Sequence, residues 1–544
     1  MTTDALPTGV RAALRRVDAL IEAADAPDQV LNALASVGTA RVAEMSSPGA
    51  SGVVYTPYDV ARQLVDLCEL SIDDSVCDPA VGCGVFLLAA AERLWARGAS
   101  VGRAAAALHG ADADPMSVEV TRAVLTRWAT WRGGEAVEFD GVVAADALLD
   151  EVAGWPQSFD VVVGNPPFLG QLRSSTARSR QRADALRSRF GDLAGGYVDE
   201  SALFLTRGAE LLAERGRICL IMPASILAAA SGEPVRQLLT RQLDLSAVWV
   251  GGTGVFADAS VNVVAPLLTR DADASDGVRV VSPDGGVSTV PSPGDLWAEV
   301  VAGASGVPRV SLAGAPLSGI ARVTADFRDA YYWIAERVSE EAASPDAPRL
   351  ATVGLIDPLH FRHGCASVRF AKRQYDAPVV GDASGDERYR SWRASRLVPK
   401  VLVATQTKVL ECAVDEAGAI LPSTPLLIVQ PADASDVWRV AAALSSPAVS
   451  AWAARQGSGT GLGKGTFRLR ASQLADAPLP TDASAWTEGA LLTRQLHSDG
   501  GPPPSHNGLR ELGRVMNRAY GLRDADALLD WWLARVPDRG RASG

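Results

Sequence analysis

Between residues 51 and 270 short apolar runs alternate with helix-length amphipathic segments, and this rhythm restricts the fold more than any other feature. The apolar runs read SVCDPA, LHGADAD, GVVAAD, FDVVVGNPP, RICLIMP, SAVWVGG and VNVVAPLL. Between them lie FLLAAAERLWARG, PMSVEVTRAVLTRWATW, DESALFLTRGAELLAERG and EPVRQLLTRQL, each with apolar residues at helical spacing. Strand–helix alternation predicts an α/β fold with a mostly parallel, doubly wound sheet. In such sheets ligands bind beyond the carboxyl ends of the strands, where the strand order reverses. The residues that end the strands are therefore where chemistry is expected.

The flanking sequence breaks this rhythm. Residues 1–50 carry helical pattern (ALRRVDALIEAA, VLNALASVG) and read as a helical lead-in. Residues 271–316 are rich in Asp, Gly, Ser and Pro and read as a linker. Residues 317–480 hold short strand-like runs among polar loops, predicting a second, mixed α+β domain. After HSDGGPPPSHNG, residues 505–544 read as a closing helical segment. A chain of 544 residues is too long for one ordinary domain, which agrees with this division. The N-terminus lacks the apolar core of a secretory signal. The longest apolar run, around Ile218–Ala230, is broken by Pro223 and too short to span a bilayer. The six cysteines stand singly with no CxxC pair, and Cys365 completes a metal site with His360 and His363 only poorly. A metal-free chain of the cytoplasm, away from membranes, is expected.

Three strands end in an aspartate. The first runs into DPAVGCGVFL, Asp78 to Leu87, where Gly82 and Gly84 allow a tight turn and close backbone approach to a ligand. The spacing is not that of a GxGxxG fingerprint, so a nicotinamide cofactor is not supported. The second strand ends at Asp112, an acid placed to accept from both hydroxyls of a ribose. The third ends at Asp146, able to accept from an exocyclic amino group. The fourth, FDVVVGNPPF, ends in Asn165-Pro166-Pro167, a rigid extended turn stripped of two N–H donors. The Asn165 side-chain oxygen and the Pro166 carbonyl together match the two hydrogens of an amino group and would aim its lone pair. Phe168 offers a flat face for a planar base.

These motifs resemble the S-adenosylmethionine-dependent amino-methyltransferases, most closely the gamma-type DNA adenine-N6 methyltransferases of restriction–modification systems. The likeness covers about residues 51–270 and continues more weakly to 480. It implies a Rossmann-like methyltransferase sheet at 51–270 and a DNA target-recognition domain at 317–480. It implies S-adenosyl-L-methionine as cofactor, with Thr56 of VVYTPYDVARQLVDL, Asp78, Gly82 and Gly84 at its methionine end. Asp112 matches the ribose acid, Asp146 the acceptor of the cofactor's adenine amino group, and Phe204 of ALFLTRGAELL a residue packing on that adenine. Asn165, Pro166, Pro167 and Phe168 match the catalytic (D/N)PP(Y/F) turn. Phe256 of VFADASVNVVAPLL matches a second aromatic face, so that it and Phe168 would sandwich a flipped adenine. The glycine loop departs from the familiar DPACGTGGFL at Val81 and Val85 but keeps both glycines.

Net charge at first speaks against a nucleic-acid partner: the formal charge is −11. Its distribution says otherwise. Just after the catalytic turn, QLRSSTARSRQRADALRSRF carries Arg178, Arg180 and Arg182 among six arginines against one acid. All four lysines of the chain, Lys372, Lys400, Lys408 and Lys464, fall in the second domain. The window 362–408 has a surplus of six positive charges, with Arg373 among them and aromatic residues interleaved. Lys464 stands in the glycine-rich run QGSGTGLGKGTFRLR, which lacks P-loop spacing and suits close approach to a nucleic-acid strand. Arg178, Arg180, Arg182, Lys372, Arg373, Lys400 and Lys464 are the expected contacts to double-stranded DNA, with Lys372, Arg373 and Lys400 on phosphates. The expected activity is methylation of adenine N6 in a specific DNA duplex. The alternatives are a modification subunit that works with a restriction or phage-defence partner, an RNA guanine-N2 methyltransferase, and a non-catalytic DNA-binding relative.

Overall fold

The alternation between residues 51 and 270 folds as one large sheet packed on both faces. The computed structural model describes residues 6–23, 26–45, 55–133, 137–168, 179–195, 198–252, 262–270, 277–294, 296–341, 347–382, 386–461, 465–523 and 525–537. The chain divides into two compact units, Met1–Ala304 and Ser305–Gly544.

The sheet of the first unit contains β1 (Val76–Asp78), β2 (Leu108–Asp112), β3 (Val142–Ala144), β4 (Phe159–Gly164), β5 (Leu212–Leu220), β6 (Met222–Pro223), β7 (Asp244–Gly252), β8 (Val263–Thr269), β9 (Val278–Val281) and β10 (Val287–Val290). Its order is β10-β9-β7-β8-β5-β4-β1-β2-β3, with β6 pairing β8. Strands β1 to β5 run parallel to one another, and β8 lies antiparallel between β5 and β7. Strand order reverses between β1 and β4, which puts the expected ligand crevice at their carboxyl ends.

Both faces of the sheet are covered, and β4 shows why its run of valines is needed. Val161 and Val163 enter one apolar core while Val162, pointing the other way, enters a second. All three are fully buried, each worth roughly 1.5–3 kcal/mol relative to exposure. Val76 and Cys77 of β1 divide between the two cores in the same manner. The helices among the described residues of this unit are α1 (Thr8–Glu22), α2 (Pro27–Met45), α3 (Tyr58–Leu67), α4 (Val85–Ala96), α5 (Val101–Ala107), α6 (Pro115–Trp131), α7 (Arg180–Phe190), α8 (Glu200–Glu210), α9 (Glu233–Thr240) and α10 (Ala298–Ala304).

Three boundaries differ from expectation. Val10, Leu14, Val17 and Leu34 of α1 and α2 share the core of α4 and α6, so the lead-in is part of the first unit. The expected linker 271–316 supplies β9 and β10, because Val278 and Val280 find burial beside β7. The helix expected through Gly216 stops at Glu210, since Leu212 already pairs with Phe159 of β4.

In the second unit Ala321–Ala325, Leu427–Pro431, Lys400–Val403 and Cys412–Asp415 form an antiparallel four-stranded sheet. A second small sheet joins Val338–Ser339, Val379–Val380, Arg349–Ala351 and Ile420–Pro422. Helices Val437–Leu444, Pro447–Gly457 and Ala483–Leu496 complete an α+β unit. The closing helices His506–Ala519 and Asp526–Leu533 belong to this same unit rather than to a separate segment. No helix among the described residues is long and apolar enough to cross a membrane.

Candidate active site

Asp78, Asp112 and Asn165 follow or end β1, β2 and β4, and they meet at one cavity of about 300 Å³. Thr56, Gly82, Pro166, Pro167 and Phe168 line the same cavity. Eight of the residues singled out in the sequence are thus brought together.

The glycine loop has the backbone that its composition suggests. Gly82 and Gly84 have φ of 52° and 83°, a left-handed region that side chains rarely adopt. The Gly82 N–H donates to Asp112 Oδ2 at 2.9 Å, and the Thr121 hydroxyl donates to the Gly82 carbonyl at 2.9 Å. Gly84 stands behind the cavity wall at the start of α4, where a side chain would collide with Thr121.

The acids are withdrawn from water. Asp78 is 1% exposed, its Oδ1 accepts the Ala80 N–H at 3.0 Å, and burial pushes its carboxyl up to about 8. Gly164 must be bare, because a Cβ there would run into the Asp78 carboxylate. Asp112 accepts the Asp114 N–H at 2.8 Å, and burial raises its carboxyl as well.

Asn165 is the most informative side chain. Its Nδ2 donates to Thr56 Oγ1 at 2.9 Å, which fixes the amide plane. Its Oδ1 is buried and has no hydrogen-bond partner among the described residues. A buried acceptor left unpaired costs about 1–3 kcal/mol, so this oxygen is placed to receive a donor that the described residues do not supply. Pro166 and Pro167 carry no N–H that could take it.

A wall of the cavity was not foreseen. Ala35, Gly38 and Arg41 of α2 line it, with Tyr55, Asp114 and Ser117. Arg41 Nη2 pairs with Asp114 Oδ2 at 2.9 Å, and its buried Nε has no partner among the described residues. Arg41 is the one basic side chain among the described lining residues. The only sequence signal was Gly38 inside a helix, where a Cβ would press on Cys83 at 2.9 Å.

Other expected residues are placed differently. Asp146 does not line the cavity: its Oδ2 takes Arg182 Nη1 at 2.5 Å and its Oδ1 the Leu148 N–H at 3.1 Å. Arg182 also pairs with fully buried Glu200 at 2.9 Å. It ties α7 to the turn after β3 and to α8, so its expected role on DNA is corrected to an internal ion pair. Phe204 is buried in the core beneath α8 and does not reach the cavity lining. Lys400, expected on phosphate, has no exposed surface and pairs with Asp415, itself 2% exposed as a side chain. It cannot meet DNA from there. Arg180, Lys372 and Arg373 are exposed. Arg178, Phe256 and Lys464 lie outside the described residues. His360 and His363 each bond a backbone carbonyl, of Gly501 at 3.0 Å and of Pro378 at 2.9 Å.

Fold and cavity together define a crevice at the carboxyl ends of a doubly wound sheet, lined by the Asn-Pro-Pro-Phe turn. Residues 41–288 match the family model of the N-6 DNA methylases. The methylase subunit of the type I restriction enzyme MjaIX of Methanocaldococcus jannaschii is 32% identical over 118 residues, covering 22% of this chain and 19% of that protein. The methylase subunit of the type I restriction enzyme EcoEI of Escherichia coli is 25% identical over 215 residues, covering 39% and 41%. The chain therefore spans less than half the length of these curated relatives. Among solved structures, the type IIL restriction-modification enzyme MmeI in complex with DNA aligns with a TM-score of 0.61 at 12% identity, over 88% of this chain and 74% of that one. A nuclease-deletion mutant of the type ISP enzyme LlaGI aligns at 0.51 and 12% identity, over 82% and 47%. These two likenesses concern the fold.

Proposed function

We propose that this chain transfers a methyl group from S-adenosylmethionine to the N6 amino group of adenine in a specific double-stranded DNA sequence, with the base rotated out of the duplex. The observation that carries the reading is the unpaired, buried Oδ1 of Asn165 beside a cavity rimmed by Pro166, Pro167 and Phe168. The lining fits the cofactor in charge. Asp78 and Thr56 would hold its ammonium end, Asp112 its ribose hydroxyls, and Arg41 its carboxylate. Bound S-adenosylmethionine would supply a methyl group already activated by the sulfonium.

The residues of the chain then supply position. Asn165 Oδ1 and the Pro166 carbonyl accept the two hydrogens of the amine, localising its lone pair and holding it in line. Such alignment accounts for most of the rate without a strong base. The proton leaves afterwards through these acceptors to water. Phe168, with Phe256 opposite, provides stacking that offsets the few kcal/mol of unstacking the adenine. Arg180, Lys372, Arg373, Arg178 and Lys464 contact phosphates.

The two relatives named as methylase subunits favour a second reading, in which a separate chain chooses the sequence. Purified protein with labelled cofactor and unmethylated genomic DNA separates the two. Label at one DNA motif from this chain alone supports built-in recognition. Label only after a partner chain is added supports the second reading, and label in RNA alone contradicts both.

A further inference from the structure

Many basic side chains of the 362–408 window are neutralised within the second unit. Arg362 pairs with Asp357 at 3.3 Å, Arg396 with Asp326 at 2.7 Å, and Lys400 with Asp415. The hairpin Val368–Phe370/Arg373–Tyr375 is different. Arg369, Lys372, Arg373 and Gln374 are all exposed, and none forms an ion pair or side-chain hydrogen bond with another described residue.

This hairpin is also held rigidly. Its tip is two residues long, Ala371 and Lys372, with φ of 46° and 68°. Two successive left-handed residues are the mark of a tight primed turn, which matches strand twist but normally uses Gly or Asn. Non-glycine residues stay there only when their surroundings over-determine them. Here Val368, Phe370 and Tyr375 are buried under the ribbon, and the Tyr331 ring lies 5.0 Å from that of Phe370.

On the outer face Arg369 stands directly opposite Gln374, and cross-strand neighbours of this kind have Cβ atoms about 5 Å apart. A two-stranded ribbon is one of the two elements that the DNA major groove admits. Arginine takes O6 and N7 of guanine in a fork, and glutamine takes N6 and N7 of adenine. A free arginine and glutamine side by side, next to two free cations at the tip, combine base-reading chemistry with phosphate anchoring.

We propose that the Val368–Tyr375 hairpin enters the DNA major groove, where Arg369 reads a guanine and Gln374 an adjacent adenine, while Lys372 and Arg373 hold flanking phosphates. The inference rests on the DNA-methylation reading and names the residues that choose the sequence. It is tested by expressing the full chain in cells lacking adenine methylation and mapping N6-methyladenine by long-read sequencing. The wild type is expected to mark a motif containing a guanine next to an adenine. Arg369→Ala should drop the requirement at the guanine and Gln374→Ala at the adenine, with discrimination at that position falling about 5- to 150-fold. Lys372→Ala should slow every site alike. If Arg369→Ala and Gln374→Ala keep the wild-type motif, the inference fails and the methylation reading stands. If the wild type leaves no N6-methyladenine in DNA, the methylation reading fails and the inference falls with it. Where a variant methylates too slowly to map, its affinities for the motif duplex and for duplexes changed at one base are compared. An unchanged ratio overturns the inference.

Discussion

The two units carry their decisive charges in opposite ways. In the first, Asp78 and Asp112 are drawn out of water beside a cavity, and burial raises both carboxyls. In the second, Arg369, Lys372 and Arg373 stand in water on one hairpin. A buried acid without a full set of partners is a receptor, because a matching donor or cation relieves its desolvation. An exposed, unpaired cation is a receptor for a different reason: phosphate meets it without breaking anything. Lys400 and Arg182 belong to neither class, since their charges are already met inside the fold. Position and partners decide what a charge is for, and its sign alone does not.

The sharpest way to break this contrast is to remove the unpaired acceptor of the first unit. Asn165→Ala should lower single-turnover methyl transfer by at least about 100-fold while the cofactor still binds by calorimetry. A near-normal rate would mean that Oδ1 is not the waiting group. Next in size is the internal pair of the second unit. Lys400→Ala strands Asp415 in the core and should cost about 3–5 kcal/mol in urea unfolding, with the salt dependence of DNA binding unchanged. A normal midpoint together with a flatter salt slope would restore Lys400 to the surface.

A pH-dependent effect follows from Asp78. Folded, its carboxyl titrates near 8, against about 3.9 in an unfolded chain. Between these values the folded state holds a proton that the unfolded chain has lost, so this group makes stability fall as pH rises from about 4 to 8. Urea midpoints measured across that range should decline less in Asp78→Asn than in the wild type, and equal slopes would refute the buried, protonated acid. The smallest change belongs to the hairpin cations. Lys372→Ala and Arg373→Ala should each reduce the salt slope of DNA affinity by about 0.9, with stability within about 0.5 kcal/mol of the wild type.

What could be read from the chain depended on how local each cause was. The run Val161–Val163 followed by Gly-Asn-Pro-Pro declares both a buried strand and its rigid end within a few residues, and Asp78, Gly82 and Asp112 sit at similar punctuation. The contacts that were missed are distant in sequence. Arg41 meets Asp114 across 73 residues, and Arg182 meets Asp146 across 36. A count of charges in a window treats Lys400 like Lys372, although one lies within a strand facing Asp415 and the other tips a hairpin. Strands β9 and β10 were obscured because Asp, Gly, Ser and Pro dominate the turns around two short valine runs.

One measurement decides whether the unpaired oxygen of Asn165 receives the amino group of a DNA adenine. Duplex DNA free of adenine methylation is incubated with the full chain and methyl-labelled cofactor, digested to nucleosides, and examined by mass spectrometry beside the same reaction with Asn165→Ala. Labelled N6-methyldeoxyadenosine is expected from the wild type, with a loss of at least about 100-fold in the variant. Label on another nucleoside, or equal yields from the two proteins, would contradict that role for Asn165.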